Sequence, residues 1–127
     1  MNIRCETRST RSAFVAVDWG SSNFRAQLID ASGVVLDEYS EARGVSGLDR
    51  DGMVHTMQNM KDCFSESDLI ICSGMIGSTV GWIDAPYIEC PTQLIEIANN
   101  LVPTVIGDVP CRIVPGLACV SEKGDPD

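Results

Sequence analysis

Three apolar runs crowded near the amino terminus constrain this chain most. Ala13–Val17, Phe24–Ile29 and Val34–Tyr39 are joined by short polar turns. Parallel neighbours need a long crossover between them, so three strands this close in sequence must form an antiparallel meander. The first run is continuous and short, as suits a central strand buried on both faces. Asp30-Ala31-Ser32-Gly33 is a turn signal between the second and third runs.

The pattern then changes period. Met53, Met57, Met60 and Phe64 recur at helical spacing, and this stripe reads as core. His55, the single histidine, lies opposite most of the methionines and reads as solvated. Leu69–Cys72 is a fourth strand. Pro91 and Thr92 open a second predicted helix, with Thr92 as N-cap and Leu94, Ile97, Ala98 and Leu101 on one face. Cys111–Val114 reads as a fifth strand, ended by Pro115-Gly116. The predicted order is β-β-β-α-β-α-β. An α/β chain with three antiparallel strands followed by helix-separated parallel ones has the topology of a ribonuclease-H-like half domain.

At 127 residues and 44% hydrophobic content, the chain is expected to fold as one domain. The net charge is −9, which argues against nucleic acid or an anionic membrane as partner. Residues 1–12 carry +2 of that total, leaving −11 for the rest. They lack the apolar segment of a secretory signal and read as a flexible tail before a lobe at 13–127. No stretch approaches the ~20 apolar residues of a membrane span, and a cytoplasmic location is expected. Six cysteines, at 5, 63, 72, 90, 111 and 119, lack the close pairing of a zinc or thioredoxin motif and read as reduced thiols. Asp49-Arg50-Asp51-Gly52 has the look of a calcium loop, but Met60 stands where the closing glutamate should be.

The chemistry concentrates in the first turn. Asp18 ends the first strand, at the carboxyl edge where α/β sheets bind ligands. Gly20 permits close backbone approach. Ser21, Ser22 and Asn23 offer amides and short polar side chains to an anion. A bare carboxylate repels phosphate, so the combination makes sense with a divalent cation between them. Mg²⁺ suits it, since this ion keeps several waters and is held by one or two carboxylates plus phosphate oxygens. An ordinary hairpin would use the same residue types; position after the first strand of this topology is what raises the pattern. Further on, Gly74, Gly77 and Gly81 punctuate an apolar stretch just past a strand end. Ser73 and Ser78 stand beside these glycines, and Trp82 and Tyr87 could cover the apolar face of a sugar acid. A packed βα corner explains the same residues equally well.

"VDWGSSNFRAQLID" (Val17 to Asp30) resembles the first phosphate loop of the sugar kinase, actin and heat-shock-chaperone ATPase superfamily. Its Trp19 and Asn23-Phe24-Arg25-Ala26 are similar to one branch, the 2-dehydro-3-deoxygalactonokinases. "SGMIGSTVGWIDAPYIECP" (Ser73 to Pro91) resembles that branch's second signature, and "IVPGL" (Ile113 to Leu117) a third. Ser21-Ser22 replaces a frequent threonine but keeps the hydroxyls. The resemblance implies ATP and Mg²⁺ as cofactors and transfer of the γ-phosphate to the terminal hydroxyl of 2-dehydro-3-deoxy-D-galactonate, giving the 6-phosphate.

By the same resemblance Asp18 holds the metal. Gly20, Ser21, Ser22, Asn23 and Arg25 meet phosphate, and Ser73, Gly74, Met75, Gly77, Ser78 and Trp82 border the sugar acid. Members of the branch continue beyond "KGDPD" into a Met-Arg-Gly-Glu-Glu stretch and a second lobe. The chain is therefore expected to be an amino-terminal half, inactive alone, whose partner is the carboxy-terminal lobe that carries the adenosine site and the general base. Homo-oligomerisation is left open. The alternatives are a kinase of another sugar or sugar acid on the same fold, or a non-catalytic nucleotide- or sugar-sensing module.

Overall fold

A computed structural model describes residues 13–65, 67–78, 80–85, 87–89 and 94–118. The expected meander is present. Strands β1 (Ala13–Trp19), β2 (Phe24–Asp30) and β3 (Val35–Glu41) pair antiparallel in sequence order. The β2–β3 turn is closed by the side chain of buried Asp30. Its Oδ1 accepts from the Ser32 amide at 2.9 Å, the Ser32 hydroxyl at 2.7 Å and the Val34 amide at 3.0 Å. Gly33, at φ 91°, supplies the left-handed residue that turn needs.

Helix α1 (Arg50–Cys63) follows. Asp49, the first residue of the calcium-like string, is its N-cap and accepts from the Gly52 amide at 2.8 Å. Met53, Met57, Met60 and Phe64 are all buried, and His55 is exposed, as their spacing predicts. They pack on Val15, Val17, Trp19, Phe24, Ala26 and Leu28, the inward residues of β1 and β2. Trp19 is fully buried, edge-on to Phe24 at 4.7 Å, with its indole N–H donating to the Arg43 carbonyl at 3.0 Å.

Strand β4 (Leu69–Ser73) then pairs parallel to β1, with Asp18 opposite Ser73. The remaining elements are β5 (Tyr87–Glu89), α2 (Leu94–Asn99), β6 (Val102–Ile106), β7 (Val109–Ile113) and β8 (Gly116–Ala118). The main sheet is mixed and six-stranded, in the order β3-β2-β1-β4-β7-β6, and β5 pairs with β8 in a small parallel sheet.

The second half departs from the predicted β-β-β-α-β-α-β order. The second helix stops at Asn99, so Leu101 lies in the connection to β6 rather than on a helix face. Thr92, its expected cap, is outside the described residues. The predicted fifth strand is β7, parallel to β4, but it is also one arm of an antiparallel hairpin with β6. Pro103 and Pro110 disguise that hairpin, because proline argues against a central strand. Pro103 is tolerated on β6, at the sheet edge. Gly107, at φ 68°, opens the two-residue turn between the arms.

Cys72 and Cys111 are buried side by side on β4 and β7 as free thiols, and Cys63 is half-buried and in no disulfide. Cys5, Cys90 and Cys119 are outside the described residues.

Candidate functional site

Alternation along β1 and β2 decides which side chains can reach a ligand. Val15, Val17 and Trp19 turn toward α1, so Phe14, Ala16 and Asp18 turn to the other face. On β2, Arg25 stands directly opposite Asp18. Asp18, Arg25, Gln27, Ile71, Ser73 and Val114 are among the residues around a shallow cleft of about 160 Å³ on this face. Asp18 and Arg25 are both exposed, and neither has a hydrogen-bond or ion-pair partner among the described residues. Arg25 makes no pair with Asp37 or Glu38; its opposite number on β3 is Ser40.

The turn after Asp18 is fixed from both sides. The Gly20 amide donates to the Asn23 carbonyl at 2.9 Å, closing the turn on itself. That N–H is spent inside the turn. The amides of Ser21, Ser22 and Asn23 have no backbone partner among the described residues, and all three residues are exposed. The carbonyls face a second loop: the Val45 amide donates to Gly20 O at 2.9 Å, and the Ser46 amide to Ser21 O at 3.2 Å. The Ser46 hydroxyl donates to the same Ser21 oxygen. Gly44 makes this approach possible, since a Cβ there would lie 2.1 Å from Ser21 O and Ser22 N.

The second glycine-rich stretch begins beside Asp18. Gly74 has φ 99°, and a Cβ on it would meet Trp19 O at 2.7 Å and Asp18 Oδ1 at 3.3 Å. Glycine is therefore required twice over, by conformation and by space. Ser73 donates its hydroxyl to Val17 O at 3.3 Å, tying the two strand ends together. Beyond it, Met75–Gly77 forms a single 3₁₀ turn. The Ser78 hydroxyl donates to Met75 O at 2.7 Å, the Trp82 amide to Ile76 O at 2.8 Å and the Ala85 amide to Gly77 O at 2.9 Å. Gly77 packs its α-carbon against Ile113. Gly77 and the Ser78 hydroxyl thus serve the loop itself, whereas Met75 is exposed and Trp82 half-buried. Nothing is described of the Tyr87 side chain.

Among the described residues the site therefore offers one unpaired carboxylate, one unpaired guanidinium and a turn of exposed polar residues at the carboxyl edge of β1 and β4. Among the described residues no three His, Cys, Asp or Glu side chains converge. Asp18 alone matches an ion that keeps most of its waters and shares phosphate oxygens, as Mg²⁺ does.

The family model for 2-keto-3-deoxy-galactonokinase matches residues 18–127. The chain belongs to that family. It is 39% identical over 116 residues to a Rhizobium meliloti protein described as a 2-dehydro-3-deoxygalactonokinase, covering 87% of this chain and 37% of that protein. It is 37% identical over 109 residues to the 2-dehydro-3-deoxygalactonokinase of Escherichia coli, covering 85% and 36%. The crystal structure of a Sinorhizobium meliloti protein described by the same enzyme name aligns with a TM-score of 0.74 and 35% identity, over 90% of this chain and 38% of that one. The chain thus spans little more than a third of the length of these relatives.

In this galactonokinase-family chain two contributors to the site's architecture are absent from the sequence reading. The Gly44–Ser46 loop buttresses the turn after Asp18, and Arg50, at the start of α1, reaches Trp82. Paired glycines at 44 and 47 were the available signal for the first. Arg50 carries no local signal, because its partner lies 32 residues away.

Proposed function

We propose that this chain is the amino-terminal, ribonuclease-H-like lobe of an ATP-dependent 2-dehydro-3-deoxygalactonate kinase. The observation that carries the reading is Asp18, exposed at the end of β1 and without a partner among the described residues, in a chain whose family match begins at that residue. Bound Mg²⁺·ATP supplies the phosphoryl group and neutralises the charge that develops on it. Asp18 holds the hydrated ion through its carboxylate. The amides and hydroxyls of Ser21 and Ser22, with Asn23, cradle phosphate oxygens, and Gly20 keeps the backbone low enough for them to do so. Arg25 offers a planar fork to an anion on the same face, either a phosphate or the sugar-acid carboxylate. Ser73, Gly74, Met75, Gly77, Ser78 and Trp82 form the wall against which the sugar acid lies.

Phosphoryl transfer of this kind depends mainly on positioning and electrostatics. A turn held by hydrogen bonds from two other segments is suited to that task. The general base and the adenosine pocket are assigned to the carboxy-terminal lobe, and the cytoplasm to the whole enzyme. ADP release by the complete polypeptide, with and without 2-dehydro-3-deoxygalactonate, tests the reading. Release that depends on the sugar acid is expected. Release indifferent to it, or faster with an unrelated sugar, would transfer the chain to another kinase; no release at all would favour a sensing module.

A further inference from the structure

Arg50 belongs to neither the core nor the turn after Asp18. Its guanidinium carbon lies 3.8 Å from the centroid of the Trp82 ring, and its Nη1 donates to the Trp82 carbonyl at 2.9 Å. One side chain thus holds both the ring and the backbone of the same residue. Its neighbours do not compete for it. Asp49 is committed to the Gly52 amide, and Arg50 has no ion pair with a described carboxylate. The residue is exposed, so its contact with Trp82 is not forced by burial in the core.

The consequence concerns the described residues of the loop after β4, 74–78 and 80–85. That segment is held by short-range bonds of its own, from Ser78 to Met75 and from Trp82 to Ile76. Arg50 adds a tie to a different element, the first turn of α1, which follows the Gly44–Ser46 buttress. The two loops at the sheet edge are therefore mechanically linked through Arg50. We propose that Arg50 is a positioning residue for substrate, fixing the Trp82 ring in the orientation in which it borders the sugar acid. This rests on the reading of Trp82 as part of the substrate wall. Planarity is what the role requires, because a guanidinium can stack on indole and donate in its own plane at once, while an ammonium cannot.

Two measurements test the proposal. The chain has two tryptophans, and Trp19 is fully buried, so acrylamide quenching of the 127-residue chain reports mainly on Trp82. Arg50→Ala should raise quenching, and Arg50→Lys should restore little of the protection. In the complete polypeptide, Arg50→Ala should raise KM for the sugar acid about tenfold, leaving KM for ATP unchanged and kcat within about twofold. Arg50→Lys should recover only part of that loss. Unchanged quenching and an unchanged sugar-acid KM in an active Arg50→Ala enzyme would overturn the clamp while leaving the kinase reading intact. Parallel losses in both KM values and kcat would make Arg50 a general structural residue and also overturn it. A wild-type polypeptide that phosphorylates no sugar acid would remove the kinase reading, and the substrate role of Arg50 with it, even where quenching shows the stack to exist.

Discussion

Replacing Gly44 with alanine isolates the contact that holds the turn after Asp18. Gly44 has φ −78° and ψ 168°, an ordinary extended conformation that alanine adopts without strain. Backbone entropy alone would make Gly44→Ala mildly stabilising, by about 0.4–1 kcal/mol. The added Cβ, however, would lie 2.1 Å from Ser21 O and Ser22 N. Both are backbone atoms and cannot rotate aside, so the two loops must separate by roughly an ångström to restore van der Waals contact. Separation breaks or weakens the bonds from Val45 N to Gly20 O and from Ser46 N and Oγ to Ser21 O. At about 0.5–1.5 kcal/mol each, their loss outweighs the entropic gain and leaves a net destabilisation of about 2 kcal/mol.

For a chain of this size that corresponds to a fall in Tm of very roughly 10 °C. Gly47→Ala is the matched control, three residues away in the same loop, with nothing within 4 Å of its added Cβ. It should change stability by less than about 0.5 kcal/mol. Thermal and urea unfolding of both variants, followed by circular dichroism, compares them directly. If Gly44→Ala melts with Gly47→Ala, the loop is not a buttress, and the rigidity argued for the turn after Asp18 has no basis.

On the proposed function, Asp18→Asn in the complete polypeptide should lower kcat by about 10³-fold or more through loss of metal organisation. It should leave Tm almost unchanged because the carboxylate has no partner among the described residues to lose; near-normal turnover would refute the metal-binding role proposed for Asp18. Arg25→Lys should impair kcat/KM if the guanidinium meets an anion bidentately, and unchanged kinetics would mark it as a surface residue. The hydrogen bond to Cys111 and burial push the Cys72 thiol above its ordinary pKa, so Cys72 should resist alkylation in the native chain and react on unfolding; rapid native labelling, read by mass spectrometry, would contradict its position. Burial, with a hydrogen bond to the Glu41 carboxylate, raises the Tyr39 pKa above its ordinary 10.0. The folded state then holds that proton more tightly than the unfolded one, so the contribution is complete below about pH 10 and lost as pH rises beyond it. Tyr39→Phe should flatten that alkaline fall in urea-unfolding stability, and an unaltered slope would refute the assignment.

The features visible in sequence are those whose causes are local. Asp30 and Gly33 make their turn from within five residues, and Met53, Met57, Met60 and Phe64 make a core face by spacing alone. The β6–β7 hairpin is hidden in the sequence because Pro103 and Pro110 read as breakers; Pro103 is tolerated because β6 is an edge, which is a property of the sheet and not of the segment. The same distinction runs through the candidate site. Asp18, Ser21, Ser22 and Asn23 are recognisable as a ligand-shaped turn, yet an isolated turn of that composition would be mobile and undirected. What gives it a fixed shape is Gly44 pressed against Ser21 and Ser22, Gly74 pressed against Trp19 and Asp18, and Arg50 laid on Trp82. Each contact joins segments more than twenty residues apart, and two of the three depend on a missing side chain. A glycine selected for close approach looks in sequence like one selected for a turn; only the atom that its Cβ would strike tells them apart. The chemistry proposed for this edge therefore lies in the turn, while its rigidity is set by residues to which no chemistry is assigned.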